Sequence, residues 1–395
     1  MPIEQVFITR YLGLTNRADP LRRNQNGEGG FAAGLSVADN VDVDDEGKLR
    51  RAPGFQRVRS GTVENLYTTH DEQRAFIVED GDLKELLPDW STVPLWNALA
   101  SPHLRWAEIN DGLYATNGTD FLVVGFDAAR EWGIPQPPIP DVVPTSGDLP
   151  AGRYQVTATY VAPDGRESGA PMGNWIDLDA PSGLRIEVTP PVGYRVRIHI
   201  APTDTATFYA AYDTDEAITT YNGPLDALAT PLTSQFLGPP PGGHVVGYRL
   251  GRLYLGQYFP ELNQSVIWPS EPLAYEWFDP AQAIILPGEI RLIAGHPQGL
   301  ILGCRDAVYA YDEGQGLQEV ADYGVVKGWT EAWDEGAWYF WTQRGLARGL
   351  PFENLTEDRV SVPPGRFGGG HIVEQDGFKR YVVVVADGGQ PHNAY

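Results

Sequence analysis

The chain is short of cysteine, of positive charge and of long hydrophobic runs, and each shortage closes off a class of protein. A single cysteine, Cys304, in 395 residues forbids an intrachain disulfide. Packing alone must hold the fold, as is usual for chains made in a reducing cytosol. Cys304 ends the apolar run Leu300-Ile-Leu-Gly-Cys304, where a buried, inert thiol is expected rather than a nucleophile or ligand. A Cys-rich zinc site is excluded on the same count. The seven histidines (His70, His103, His199, His244, His296, His371 and His392) show neither HExxH nor HxH spacing, so each reads as an ordinary surface or sheet-edge residue and no metal site is expected. No apolar stretch approaches the ~20 residues that span a bilayer. The segment Met1–Arg10 has no basic region followed by an apolar one, so neither a signal peptide nor membrane insertion is expected.

Lysine and arginine number 29 against 52 aspartates and glutamates, a net charge of −23. Sequence-independent nucleic-acid binding rests on cationic neutralisation of phosphates, and docking on anionic lipid needs basic patches. Both are disfavoured. Only four of the cations are lysines. Arginine suits planar, bidentate pairing with carboxylates, so bridges of that kind, some between subunits, are expected, codon bias being an equally good explanation of the imbalance.

Glycine (45) and proline (33) make up about a fifth of the chain, against roughly 12% in average proteins. Long helices have little room. Yet the chain holds 11 Trp, 19 Tyr and 14 Phe, more than a disordered acidic chain carries. These counts predict an ordered, all-β, turn-rich protein.

A turn followed by a short apolar strand, a second turn and a second strand recurs along the chain. Its anchors fall near Arg74, Gly112, Gly251, Gly299, Gly336 and Lys379. Apart from the long step between Gly112 and Gly251, the spacing matches the roughly 40–50 residues of a four-stranded propeller blade. A β-propeller of about six blades is expected, with Trp333, Trp338 and Trp341 packing mostly between blades. Asn117-Gly118 predicts a type I′ hairpin turn. The long step predicts an insert bordered by the Pro-rich stretches Ile134–Pro140 and Gly238–Gly243. Inside it Tyr154, Val156, Ala158 and Tyr160 alternate with polar residues, as do Leu184, Ile186 and Val188, and Tyr194, Val196, Ile198 and Ile200. Strict alternation predicts an antiparallel sandwich with one wet face, of immunoglobulin or fibronectin-III type. The expected layout is an N-terminal arm over 1–35, the first part of the propeller over 36–140, the inserted sandwich over 141–240, and the second part over 241–395. Val37 to Val58 reads as a hairpin around Asp44-Asp-Glu-Gly47 that joins the ring.

Catalytic motifs are scarce. Asp42–Gly47 resembles a calcium loop, but its twelfth position is Pro53 rather than the bidentate Glu such loops require. There is no nucleophile elbow and no phosphate-binding loop. Gly365-Arg-Phe-Gly-Gly-Gly370 follows two prolines and reads as a flexible loop between blades. Asp111, Asp306 and Asp334 stand at turns, where turn chemistry alone would put them. No carboxylate pair for glycoside hydrolysis can be singled out. Catalytic and cofactor-binding residues are therefore expected to be absent, and the chain is read as a non-enzyme.

Three stretches resemble structural proteins of tailed bacteriophages. Ala38-Asp-Asn-Val-Asp-Val-Asp-Asp-Glu-Gly-Lys-Leu-Arg-Arg-Ala-Pro-Gly-Phe55 is similar to a stretch near the start of many such proteins. Gly247-Tyr-Arg-Leu-Gly-Arg-Leu-Tyr-Leu255, Val266-Ile-Trp-Pro-Ser-Glu-Pro-Leu273 and Glu276-Trp-Phe-Asp-Pro280 resemble a second shared segment. Gly152–Ser168 is similar to the start of their inserted sandwich. The resemblance implies a virion tail component made in the host cytoplasm. Such a nozzle or hub ring, a hexamer, would meet an adaptor or tail tube and line or gate the DNA exit channel without specific DNA binding. An acidic wall would let DNA slide rather than grip it. The alternative reading is a carbohydrate-active or receptor-binding propeller.

Overall fold

The computed structural model describes residues 8–17, 24–27, 30–37, 41–43, 47–51, 57–109, 112–125, 128–203, 205–361, 363–375, 378–386 and 391–394. The protein is all-β, and most of its strands lie in four-stranded antiparallel sheets. It divides into two compact units: residues 63–87 with 91–286, and residues 1–62 with 88–90 and 287–395.

The first unit holds three meanders. Sheet A is Asn65–Thr68, Ala75–Glu79, Asp82–Leu86 and Thr92–Trp96. Sheet B is Arg105–Ile109, Gly112–Thr116, Phe121–Val124 and Ala129–Glu131. Sheet C is Val245–Arg249, Arg252–Phe259, Gln264–Glu271 and Ala274–Phe278, with Ile284–Pro287 added beside its third strand. Alternation along each strand gives these sheets two apolar faces, and neighbours in sequence pack through them. Trp106 of sheet B stacks on Tyr67 and Phe76 of sheet A, ring centroids 5.1 and 5.8 Å apart. Ala107, Tyr114, Val123 and Trp132 share one core with Val246, Leu253, Leu255 and Phe278.

The second unit repeats the pattern. Sheet D is Ile290–His296, Gly299–Cys304, Val308–Asp312 and Gly316–Ala321. Sheet E is Ala332–Asp334, Ala337–Thr342, Gly345–Gly349 and Glu353–Asn354. In sheet F, Phe367–Gln375, Phe378–Ala386 and Pro391–Ala394 run antiparallel, and Lys327–Trp329 joins them in parallel at the edge. Phe340 and Ala347 of sheet E pack on Leu292, Ile301 and Val308 of sheet D, while Trp341 packs on Val383 and Val385 of sheet F. Trp338 is tucked against the D–E core, and Trp333 stays partly exposed at its edge. Each repeat anchor thus stands in a strand or strand-flanking turn of a different sheet.

The glycines of 368–370 belong to a strand, not to a flexible loop. A Cβ on Gly370 would come within 2.3 Å of the Tyr381 hydroxyl oxygen, so the bare backbone leaves room for the Tyr381 ring, whose hydroxyl donates to the Thr330 carbonyl. The hairpin Val41–Val43 with Leu49–Arg51 forms its own two-stranded sheet rather than extending a larger one. Its tip, residues 44–46 of the calcium-like loop, lies outside the described residues. Ile8–Leu14, Asn24–Gly27 and Gly30–Leu35 form a separate three-stranded sheet. Just beyond its first strand, Asn16 and Ser361 exchange hydrogen bonds of 2.8 and 2.7 Å.

Tight turns follow backbone chemistry. Asp80-Gly81, Leu250-Gly251 and Glu335-Gly336 each place two successive residues at positive φ, the type I′ geometry that matches strand twist. Asn117-Gly118 does not. Only Gly118 has positive φ, and the Asn117 side-chain oxygen instead accepts from the Thr119 and Asp120 backbone N–H groups (3.0 and 2.7 Å). An Asx turn opens the hairpin to a four-residue loop.

Between sheets B and C in sequence lie two further sheets. Asp141–Leu149, Ser182–Glu187 and Ile218–Tyr221 form one, while Asn174–Leu178, Gly152–Val161, Arg195–Ala201 and Tyr209–Thr214 form the other. Tyr154, Val156, Ala158, Leu184, Ile186, Val196, Ile198 and Ile200 fill a single core between them, each at most 1% exposed. The expectation of one wet face fails for the four-stranded sheet, where Thr157, Thr159 and His199 are buried on the outer side. Residues 168–171 and 234–236 cross that face and cover it, with Thr157 donating to the Pro171 carbonyl (3.0 Å) and Ala170 pairing with Gln235.

Candidate functional site: a charged joint at the base of the sandwich

The turn Pro163-Asp-Gly165, closed by Gly165 at φ +86° and a hydrogen bond from its N–H to the Ala162 carbonyl (2.9 Å), presents Arg166 to sheet C. The Arg166 guanidinium lies 2.7 Å from Glu276 and 2.7 Å from Asp164. Arg130, on the edge strand of sheet B, reaches the other Glu276 oxygen at 2.8 Å. One carboxylate therefore ties sheet B, sheet C and the sandwich together. Next to it the Trp277 indole N–H donates to the Glu167 carbonyl (3.0 Å), and Phe278 exchanges two backbone hydrogen bonds of 2.9 Å with Gly238.

Burial works against these charges, and pairing overcomes it. Burial would raise the Asp164 carboxyl, but hydrogen bonds from Arg166 hold it below its ordinary range. Arg166 moves the other way: burial opposes its charge, but Asp164 and Glu276 raise it further. Beneath the pair lies an aromatic layer. Tyr114 meets Trp132 and Tyr275 edge-on at 5.0 and 5.7 Å, and the Trp132 N–H donates to the Tyr275 carbonyl (2.7 Å). Burial, reinforced by the Glu276 charge, pushes the Tyr114 hydroxyl up to about 12.

A second polar cluster, partly buried, lies beside the crossing segment. Glu167 accepts from Thr159 (2.5 Å), pairs with Arg197 (2.6 Å) and lies 3.3 Å from His199 Nε2. Arg197 is held in turn by both oxygens of Asp213 (2.7 and 3.1 Å). Burial raises the Glu167 carboxyl, but His199, Thr159 and Arg197 outweigh it and keep it ionised below the usual range.

The Pro-rich stretches bordering the sandwich are packed, not loose. Gln136 donates its side-chain amide to the Leu237 and Ala170 carbonyls. A Cβ on Gly133 would meet Pro240 at 2.6 Å and Pro239 at 3.0 Å.

The residues weighed for chemistry are dispersed. Cys304 is 1% exposed, and burial pushes its thiol up to about 12, which removes the thiolate a nucleophile needs. Asp306 pairs with its neighbour Arg305 at 2.9 Å. Asp334 lines a cleft of about 290 Å³, where Lys379 bridges it to Glu335 at 2.6 and 3.2 Å. His70 pairs with Glu108 (2.8 Å), and His296 Nε2 lies 3.2 Å from the Gly336 carbonyl. Asp111 and the His392 side chain lie outside the described residues. Among the described residues no group of three or more His, Cys, Asp or Glu side chains is placed to hold a metal ion, and no helix is long and apolar enough to cross a membrane.

The Arg166–Glu276 pair was not foreseen. The one sequence signal for it is that both partners lie in stretches singled out for resemblance, Gly152–Ser168 and Glu276–Pro280. The other residues of the second segment have structural tasks too: Arg252 donates to the Ser270 carbonyl (2.7 Å), and the buried Ser270 hydroxyl accepts from the Leu253 N–H (3.0 Å).

No family model matches the chain, and no curated protein does. Among solved structures, apo AztD from Citrobacter koseri is similar at 13% identity and TM-score 0.27, over 72% of this chain and 82% of that one. BamB from Moraxella catarrhalis is similar at 12% identity and TM-score 0.24, over 71% and 80%. Dipeptidyl peptidase 4 from Porphyromonas gingivalis is similar at 9% identity and TM-score 0.29, over 82% of this chain and 49% of that one. Likeness at this level assigns no function.

Proposed function

We propose that the chain is a non-enzymatic structural protein of a bacteriophage tail. It assembles as a homo-oligomeric ring, a hexamer, which extends the tail and lines or gates the DNA exit channel beside an adaptor or tail tube. Its sheets are the blades of a propeller of about six blades, interrupted by an immunoglobulin- or fibronectin-III-like sandwich. The layout is arm 1–35, propeller 36–140, sandwich 141–240 and propeller 241–395.

One observation carries the reading. Two of the stretches that resemble tail proteins meet at the Arg166–Glu276 joint, and their other polar residues pin strands and turns to one another. The resembling residues serve a frame that fixes the sandwich, which is what an assembly component needs. The −23 net charge suits a wall along which DNA, with one charge per ~1.7 Å of axis, slides without sticking.

Purified phage particles provide the test, by protein mass spectrometry and by imaging of the tail. The expected result is the protein in infectious particles, as a cyclic ring around the exit channel with a mainly negative inner wall. Absence from the particles would sink the tail reading. A mainly positive inner wall would sink the sliding-wall account alone.

A further inference from the structure

The exposed end of the four-stranded sheet carries a tryptophan that is stacked against an arginine yet open to solvent. Trp175 is 63% exposed on the edge strand Asn174–Leu178. The Arg153 guanidinium covers one face of its ring, 4.4 Å from the centroid. Arg153 is itself gripped by both oxygens of Asp177 at 2.8 Å. An exposed ring already stacked under a charge-paired guanidinium has less freedom to lose on contact. Gly173, just before the strand, gives its side-chain space to the buried Phe208 ring, which a Cβ there would meet at 2.4 Å, and among the described residues no other aromatic ring packs on Trp175. Gln155 is its cross-strand partner and shares its face. The Gln155 amide is half-buried, and its donors and acceptor are not engaged by the described residues.

We propose that Trp175, Gln155 and the Arg153–Asp177 pair form a binding platform for a neutral pyranose of an oligosaccharide. The open ring face stacks on the apolar C–H face of the sugar, and the Gln155 amide both donates to and accepts from its hydroxyls. Charge selects against the alternatives. Arg153 and Asp177 cancel one another, a chain of net charge −23 repels acidic sugars, and a cation already occupies the other face of the ring. This platform does not rest on the tail reading and stands or falls separately.

The test uses the full chain with maltohexaose, cellohexaose and N-acetylchitohexaose as neutral probes and sialyllactose as the acidic comparator. Binding is followed by calorimetry and by the Trp175 indole NMR signal. At least one neutral hexaose is expected to bind saturably and to move that signal, with sialyllactose weaker. W175A should weaken binding roughly tenfold or more, W175F should retain part of it, and Q155A should weaken it with the unfolding temperature unchanged. W175F and Q155A decide the matter should W175A not fold. Saturable binding by none of the hexaoses, wild-type affinity in Q155A and in whichever Trp175 variant folds, or tighter binding of sialyllactose would each overturn the proposal.

Discussion

Arg166 and Glu276 are 110 residues apart in sequence and 2.7 Å apart in space, each side chain about a fifth exposed. A partly buried charge pair that also bonds Arg130 is costly to break from one side, because two guanidiniums are then left under-paired. E276Q should lower stability by about 1–3 kcal/mol. It should also speed trypsin cleavage after Arg166, a bond the joint now shields. Chemical unfolding and timed proteolysis check both. Unchanged cleavage would mean that the joint does not fix the turn.

Glu167 makes the sandwich sensitive to acid. Its carboxyl is held below its ordinary range in the folded protein, so its stabilising contribution is fully present once the unfolded carboxylate is ionised, above about pH 5. That contribution fades as the pH falls through the depressed folded value. E167Q should therefore be the less stable protein at pH 7, and its stability should fall less than that of the wild type on acidification to pH 3. Urea midpoints measured across that range check the slope.

Cys304 should be silent in the folded state. With its thiol raised to about 12 and its side chain buried, iodoacetamide at pH 8 should leave it unmodified while the fold holds and label it fully in urea. Mass spectrometry reads the difference. Rapid labelling of the native protein would mean that strand Gly299–Cys304 opens locally.

Leu250 and Leu273 hold φ angles of +46° and +58° and are 69% and 77% exposed. Bulky side chains are strained there, whereas asparagine adopts this region readily. L250N should stabilise the protein by about 1 kcal/mol. A loss of stability instead would show that the leucine side chain contributes packing its exposure does not reveal.

The parts of this fold that could be read from the chain are those governed by neighbours. Alternation along Tyr154–Tyr160 marked a strand and its inner face because period-2 patterning is local. Glu335-Gly336 marked a tight turn because glycine and positive φ go together. Asn117-Gly118 carried the same dipeptide signal and misled, since the Asn117 side chain had a local hydrogen-bonding alternative. Gly368–Gly370 misled in the opposite sense: glycine gives freedom to a loop and also room for a neighbouring ring, and only the Tyr381 side chain on the paired strand decides which. The wet face expected over Thr157 and Thr159 was lost to a segment that returns from residue 234. The joint depends on a pairing across more than a hundred residues, which no local pattern encodes. Trp175 was passed over because an isolated tryptophan in a strand has no signature until its neighbour across the sheet is known.

The chain runs into the sandwich past Gly133 and comes back past Pro239 and Pro240, which touch it. Departure and return are thus side by side, and the Gly238–Phe278 hydrogen bonds anchor the return. Tension on the sandwich is therefore carried by these paired strands and by the Glu276 carboxylate together.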